Sequence, residues 1–100
     1  MDSYKPTALH YVADCGHNAV AASLIKANAY VNATDNNKQT PLHYAAWNGR
    51  AAVADLLLDA NASLTAVDVD GDTPAQSAEQ GGHHDLAKRL REWQPGASSK

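Results

Sequence analysis

Five histidines, one cysteine and eleven acidic side chains are the reactive groups available to this 100-residue chain. Two groupings have the residue types of a metal site: Cys15 with His17, and His83, His84 and Asp85 in succession. His10 and His43 differ from these, because each stands three residues after a threonine, Thr7 or Thr40. That spacing suits a capping box, in which the threonine caps a helix and the third helical residue reaches back to the cap. Both are read as structural. The aspartates fall on predicted turns at a regular spacing and do not converge as an acid and base pair. The chain has no glycine-rich phosphate loop after a strand, no nucleophile elbow and no His-Glu-x-x-His, so catalysis is not expected.

The elements that carry these residues recur. Thr7-Ala8-Leu9-His10, Thr40-Pro41-Leu42-His43 and Thr73-Pro74-Ala75-Gln76 follow one another at 33-residue intervals. Gly16, Gly49 and Gly82 keep that period, as do Val20, Val53 and Leu86, and Leu24, Leu57 and Leu90. A fixed period marks an array built from one unit. In the middle copy, Thr40 is an N-cap, Pro41 suits the first helical position, and Leu42, Ala45 and Ala46 form a small apolar face. Gly49 ends that helix. A second helix from Arg50 carries Val53, Leu56 and Leu57 at helical spacing and stops near Asn61, as its counterpart stops near Asn28. Asp35-Asn36-Asn37-Lys38 and Asp68-Val69-Asp70-Gly71-Asp72 then read as projecting turns at the tips of hairpin-like fingers, bounded by Val31, Val67 and Val69. Packed helices lie ~8–10 Å apart, so Cys15 and His83, two units apart, are separated by roughly 16–20 Å. A metal site shared within the chain is excluded, although one bridging two molecules is not. No cofactor is expected.

Length and charge narrow the class further. A chain of this size is one small domain, and no segment reaches the ~20 apolar residues of a membrane span. Met1-Asp2-Ser3-Tyr4-Lys5-Pro6 lacks the basic start and apolar run of a signal peptide, and the lone Cys15 has no disulfide partner in the chain. A reducing, cytoplasmic setting is expected, with the nucleus left open. The triplets Asn32-Ala33-Thr34 and Asn61-Ala62-Ser63 are then chance matches to a glycosylation signal. A net charge of −3 gives no general reason to bind nucleic acid.

These residues closely resemble the ankyrin repeat over about residues 2 to 93. The family pattern is an Asp-led turn, Thr-Pro-Leu-His-x-Ala-Ala-x-x-Gly, and a second helix rich in Val and Leu; Asp35 to Ala66 follows it almost throughout. The resemblance implies an all-α solenoid of three stacked helix-turn-helix repeats with turn or hairpin fingers: 2–34, 35–67 and a capping repeat 68–93, then a flexible tail 94–100. Departures are Ala8 for proline, Lys5 and Lys38 for glycine in the turns, and Ala75-Gln76 for Leu-His. Lys88, Arg89 and Arg91 give the last helix a face that tolerates water, as the end of an array requires. Ser23 is the corresponding concession at the open N-terminal end. The family's Gly-His pair accounts for His17 and His83. Asn32 resembles asparagines that are hydroxylated in other ankyrin proteins, but Tyr30 replaces the preferred acidic residue, and a structural role in the loop is favoured.

The resemblance also implies the function: binding another protein on the concave surface formed by fingertips and first helices. By the family's contact pattern that surface comprises Ser3, Tyr4, Pro6, Asp14 and Cys15 in the first repeat, then Asn36, Asn37, Gln39, Trp47 and Asn48, then Val69, Asp70, Asp72, Gln80 and Gly81. Trp47 is its expected anchor, since a large exposed aromatic is the commonest interface hot spot. The alternative is that Trp47 covers core, and Tyr4 carries the same two readings. Tyr11 and Tyr44 are read as packing residues. Asp14, Asp70 and Asp72 favour a partner with Lys or Arg beside an apolar side chain, against the alternative of simple solvated turns. The second function class is a structural or self-associating unit, or an excised regulatory part of a larger protein. The expected state is a monomer, with self-association through the open N-terminal repeat as the alternative.

Overall fold

Each of the three tetrads opens a helix in the computed structural model, which describes residues 6–93. Tyr4, Ser3 and Lys5, and the tail expected at 94–100, lie outside the described residues. In chain order the helices are α1 (Ala8–Cys15), α2 (Asn18–Lys26), α3 (Pro41–Trp47), α4 (Ala51–Asp59), α5 (Pro74–Gln80) and α6 (His84–Glu92). The fold is an all-helical stack: α3 lies between α1 and α5 in one row, and α2 and α4 pack side by side in a second row behind it. No strand occurs among the described residues.

Local chemistry sets every helix start of the first row. Thr7, Thr40 and Thr73 have extended backbones, and their hydroxyls accept the N–H of His10, His43 and Gln76. The third residue answers. The threonine N–H donates to Nδ1 of His10 at 3.0 Å, to Nδ1 of His43 at 3.1 Å and to Oε1 of Gln76 at 2.8 Å. The histidines also do something the sequence reading did not anticipate. With Nδ1 accepting, Nε2 carries the proton, and it donates 2.8 Å to the Gln39 carbonyl from His10 and 2.8 Å to the Asp72 carbonyl from His43. Each imidazole therefore starts its own helix and fastens the next finger. Gln76 keeps the first task alone, and its side chain is exposed.

Packing follows from small residues at close approaches. Ala13, Ala45, Ala46, Ala54, Ala78 and Ala87 have no exposed surface, and Leu9, Leu42, Val53, Leu57 and Leu90 fill the space between rows. The glycines after α1 and α3 serve the stack as well as the turn. Gly49 has φ +71°, and a Cβ there would lie 2.6 Å from the His83 ring of the next repeat; at Gly16 the Arg50 side chain occupies the equivalent place. His83 thus packs on the glycine of the preceding repeat, as Arg50 does. Asn28 and Asn61, both at φ 71°, end α2 and α4 in the left-handed conformation expected of them, whereas Lys38 adopts φ 63° without a glycine's freedom.

The open ends differ. At the α6 end Lys88, Arg89 and Arg91 are exposed, and Arg89 reaches Asp55 while Arg91 reaches Glu79. At the α1–α2 end large apolar side chains, Val20, Tyr11 and Tyr30, are exposed beside polar ones such as Asn18, Ser23 and Lys26. The reading of Tyr11 as a packing residue is thereby corrected, since it is 59% exposed. Tyr44, its counterpart, packs because His10 lies edge-on to its ring at 4.8 Å, and no described residue plays that part for Tyr11.

Candidate functional site

The fingers are turns built by a single buried carboxylate each. Asp35 Oδ1 accepts the N–H of Asn37 at 2.8 Å and of Gln39 at 2.9 Å, while its own N–H donates to the Gln39 carbonyl. Asp68 repeats this with Asp70 and Asp72 at 2.9 and 3.0 Å. An Asx-type turn of this kind satisfies the backbone without pairing two strands, which reduces the expected hairpin to a turn. The Val69 N–H donates to the Asn37 carbonyl at 2.9 Å, so consecutive fingers are tied tip to tip.

Burial pushes the carboxyls of Asp35 and Asp68 up, yet their hydrogen bonds outweigh it and hold both below the ordinary carboxylate value. Tyr44 shows the reverse side of the same contact. Burial, with the hydrogen bond its hydroxyl donates to Asp35, pushes that phenol well above its usual range. His10 is held below the ordinary imidazole value by burial, which outweighs its bond to Gln39. These groups are structural: their donors and acceptors are spent inside the stack.

Between the fingers and the first helices runs a groove of about 380 Å³. Seven of the residues expected on the binding surface line it: Asp14, Gln39, Trp47, Asn48, Asp70, Asp72 and Gln80. Trp47 is the last residue of α3 and is 51% exposed, which decides against its covering core. The carboxylates meet side-chain amides, two of them across repeats and one within the third. Asn48 donates to Asp14 at 2.6 Å, Gln80 to Asp72 at 2.9 Å and Gln39 to Asp68 at 3.4 Å.

The other expected residues stand apart from that groove. Asn36 lines a separate hollow with Lys38 and Val67, and Asn37 and Val69 are exposed at the fingertips. Cys15 is exposed at the end of α1. Pro6 is partly buried, and Gly81 lies so close to the Trp47 carbonyl that a Cβ would come within 2.3 Å. His43, Tyr44, Asp68 and Ser77 also line the groove and were missed. A signal existed: His43 is four residues before Trp47, Tyr44 four before Asn48, and Ser77 three before Gln80, the spacings that share a helix face.

Chemically the groove is an acidic, hydrogen-bonding surface with one aromatic wall. Carboxylate oxygens of Asp68, Asp70 and Asp72 lie within 4.8 Å of one another. Asp68 has both oxygens engaged, one by two backbone N–H groups and the other by Gln39, so it serves the turn. His83, His84 and Asp85 do not form a ligand cluster: His83 packs on Gly49, and His84 bonds Glu79 at 2.5 Å. Asn32 is likewise spoken for, accepting the Ser63 N–H at 2.8 Å.

A family model described as ankyrin repeats (3 copies) matches residues 1–68. The chain belongs to the ankyrin-repeat family. The match spans the first two helix pairs and the finger between them, and ends at Asp68. The α5–α6 pair lies past it and repeats their capping box and their left-handed glycine. No curated protein matches the chain. Ankyrin repeats are in general protein–protein interaction modules rather than enzymes. No helix among the described residues is long and apolar enough to cross a membrane.

Proposed function

We propose that this chain is a non-catalytic protein-binding module that captures a partner in the groove between its fingers and first helices, with Trp47 as anchor. The observation that carries the reading is a half-exposed indole on the wall of a groove whose polar groups are already ordered by hydrogen bonds within and across repeats. Ordered groups cost less entropy to bind than mobile ones. The acidic lining disfavours phosphate backbones, in keeping with a protein partner rather than a nucleic acid. The α5–α6 pair, with its charged outer face, acts as the C-terminal cap of the array, and a single chain is the working unit.

Affinity capture with the immobilised chain, wild type against Trp47→Ala, tests this directly. Truncation of an anchor weakens capture by ~1–2 kcal/mol or more, about tenfold, while the unfolding midpoint changes little. Equal recovery of the same proteins by both forms would sink the proposal, and so would loss of the fold on truncation.

A further inference from the structure

We infer that the groove's occupant is an extended protein segment presenting an arginine, its guanidinium laid on the Trp47 indole and held by Asp70 and Asp72. The inference rests on the reading of this groove as the protein-binding surface and specifies what it recognises.

Charge complementarity commits the occupant. The lining contains Asp14, Asp68, Asp70 and Asp72 and neither lysine nor arginine. The ion pairs among the described residues lie elsewhere, at Arg89–Asp55, Arg91–Glu79 and His84–Glu79. Arg50 donates to the Asp14 carbonyl and lies against Gly16, and it does not line the groove. Lys38 faces the hollow between the fingers. Three carboxylate groups with oxygens within 4.8 Å of one another repel, and a cation placed over the outer two relieves that repulsion.

The hydrogen-bond inventory selects arginine over lysine. Gln39, Asn48 and Gln80 all spend donors on carboxylates, and the carboxylate oxygens they leave over can only accept. Gln80 binds one oxygen of Asp72 and leaves the other, and no side chain among the described residues donates to Asp70. A planar guanidinium fills two such acceptors at once and stacks on an aromatic face, whereas an ammonium is a more strongly hydrated point charge that gains less from the indole. An extended segment suits a groove whose lining runs across three repeats, from Asp14 to Gln80.

The test uses the full chain with Trp93→Phe, which leaves Trp47 as the single tryptophan of the two present. Three acetylated, amidated hexapeptides, Gly-Ser-Xaa-Leu-Gly-Ser with Xaa as Arg, Lys or Glu, are titrated against it by NMR. Shifts are read at the Trp47 indole N–H and at the Asp70 and Asp72 amides. The arginine peptide gives saturable shifts, the lysine peptide binds about threefold or more weakly, and the glutamate peptide gives none. D70N/D72N, checked for an unchanged melt, weakens the arginine peptide about tenfold. Equal binding of the Arg and Glu peptides overturns the inference. So does a response of these amides to calcium ions without one to the arginine peptide, which would make the cluster a cation site. If arginine has no advantage but Trp47→Ala still abolishes capture of a partner, the arginine inference fails and the protein-binding reading stands.

Discussion

At the residue scale, the chain uses few groups and gives several of them two tasks. His10 and His43 cap a helix through Nδ1 and fasten the next finger through Nε2. At His10, protonation of Nδ1 would place an N–H where the Thr7 N–H already points. For His10 the consequence has a defined direction, because burial holds its folded-state value below the ordinary 6.5. Above that value neither state is protonated and the full contribution is present. As pH falls through 6.5 the unfolded chain takes up the proton first, so stability is lost from there downward until the folded value is passed. Asp35 and Asp68 have folded values below 3.8, so theirs is present above 3.8 and is lost as pH falls further through the folded values. Urea melts across this range are expected to show two declines, and His10→Gln, which can still cap as Gln76 does, should reduce the upper one. A flat profile from neutrality to about pH 5 would contradict this account of the imidazole.

At the element scale, each helix pair is joined to the next through its glycine. Gly49 and Gly82 hold equivalent positions, with φ +71° and +83°, but a Cβ at Gly49 would strike the His83 ring at 2.6 Å while one at Gly82 meets nothing within 4 Å. Alanine at Gly82 therefore carries only the left-handed backbone penalty, ~1–2 kcal/mol. Alanine at Gly49 is expected to cost about 2 kcal/mol or more, the excess being the displaced stacking contact. Denaturant unfolding of the two variants measures the difference, and His83→Ala in the Gly49→Ala background should recover the excess alone. If both alanines cost the same, the glycine serves the turn and the stack is indifferent to it. The same logic explains the tetrads. Histidine stands where another finger must be fastened, and glutamine stands in α5, where capping is the sole task.

At the scale of the whole molecule, position in the array outweighs residue type. Val20 and Val53 are the same repeat position, yet Val20 is 48% exposed and Val53 is fully buried. Val53→Ala is expected to cost about 2 kcal/mol or more, two methyl groups plus the cavity left behind, whereas Val20→Ala costs well under half of that. Equal costs in denaturant unfolding would mean that the α1–α2 face is covered in solution.

The sequence determined the stack through its 33-residue period, because capping boxes, glycine stops and apolar spacing are local signals that survive without knowing what lies across the fold. It also marked Trp47, Asp14, Asp70, Asp72 and Gln80 for one surface, since each departs from the period or sits at a contact position. Other facts lay beyond it because they depend on contacts 29 or more residues apart: the second bond of each histidine, and the amides that orient Asp14 and Asp68. Only the tertiary structure decided that Trp47 is open while Tyr44 is packed. It also decided that Asp68 is consumed by its turn while Asp70 faces the groove, because exposure and unspent hydrogen-bonding capacity belong to the assembled stack and not to any one repeat.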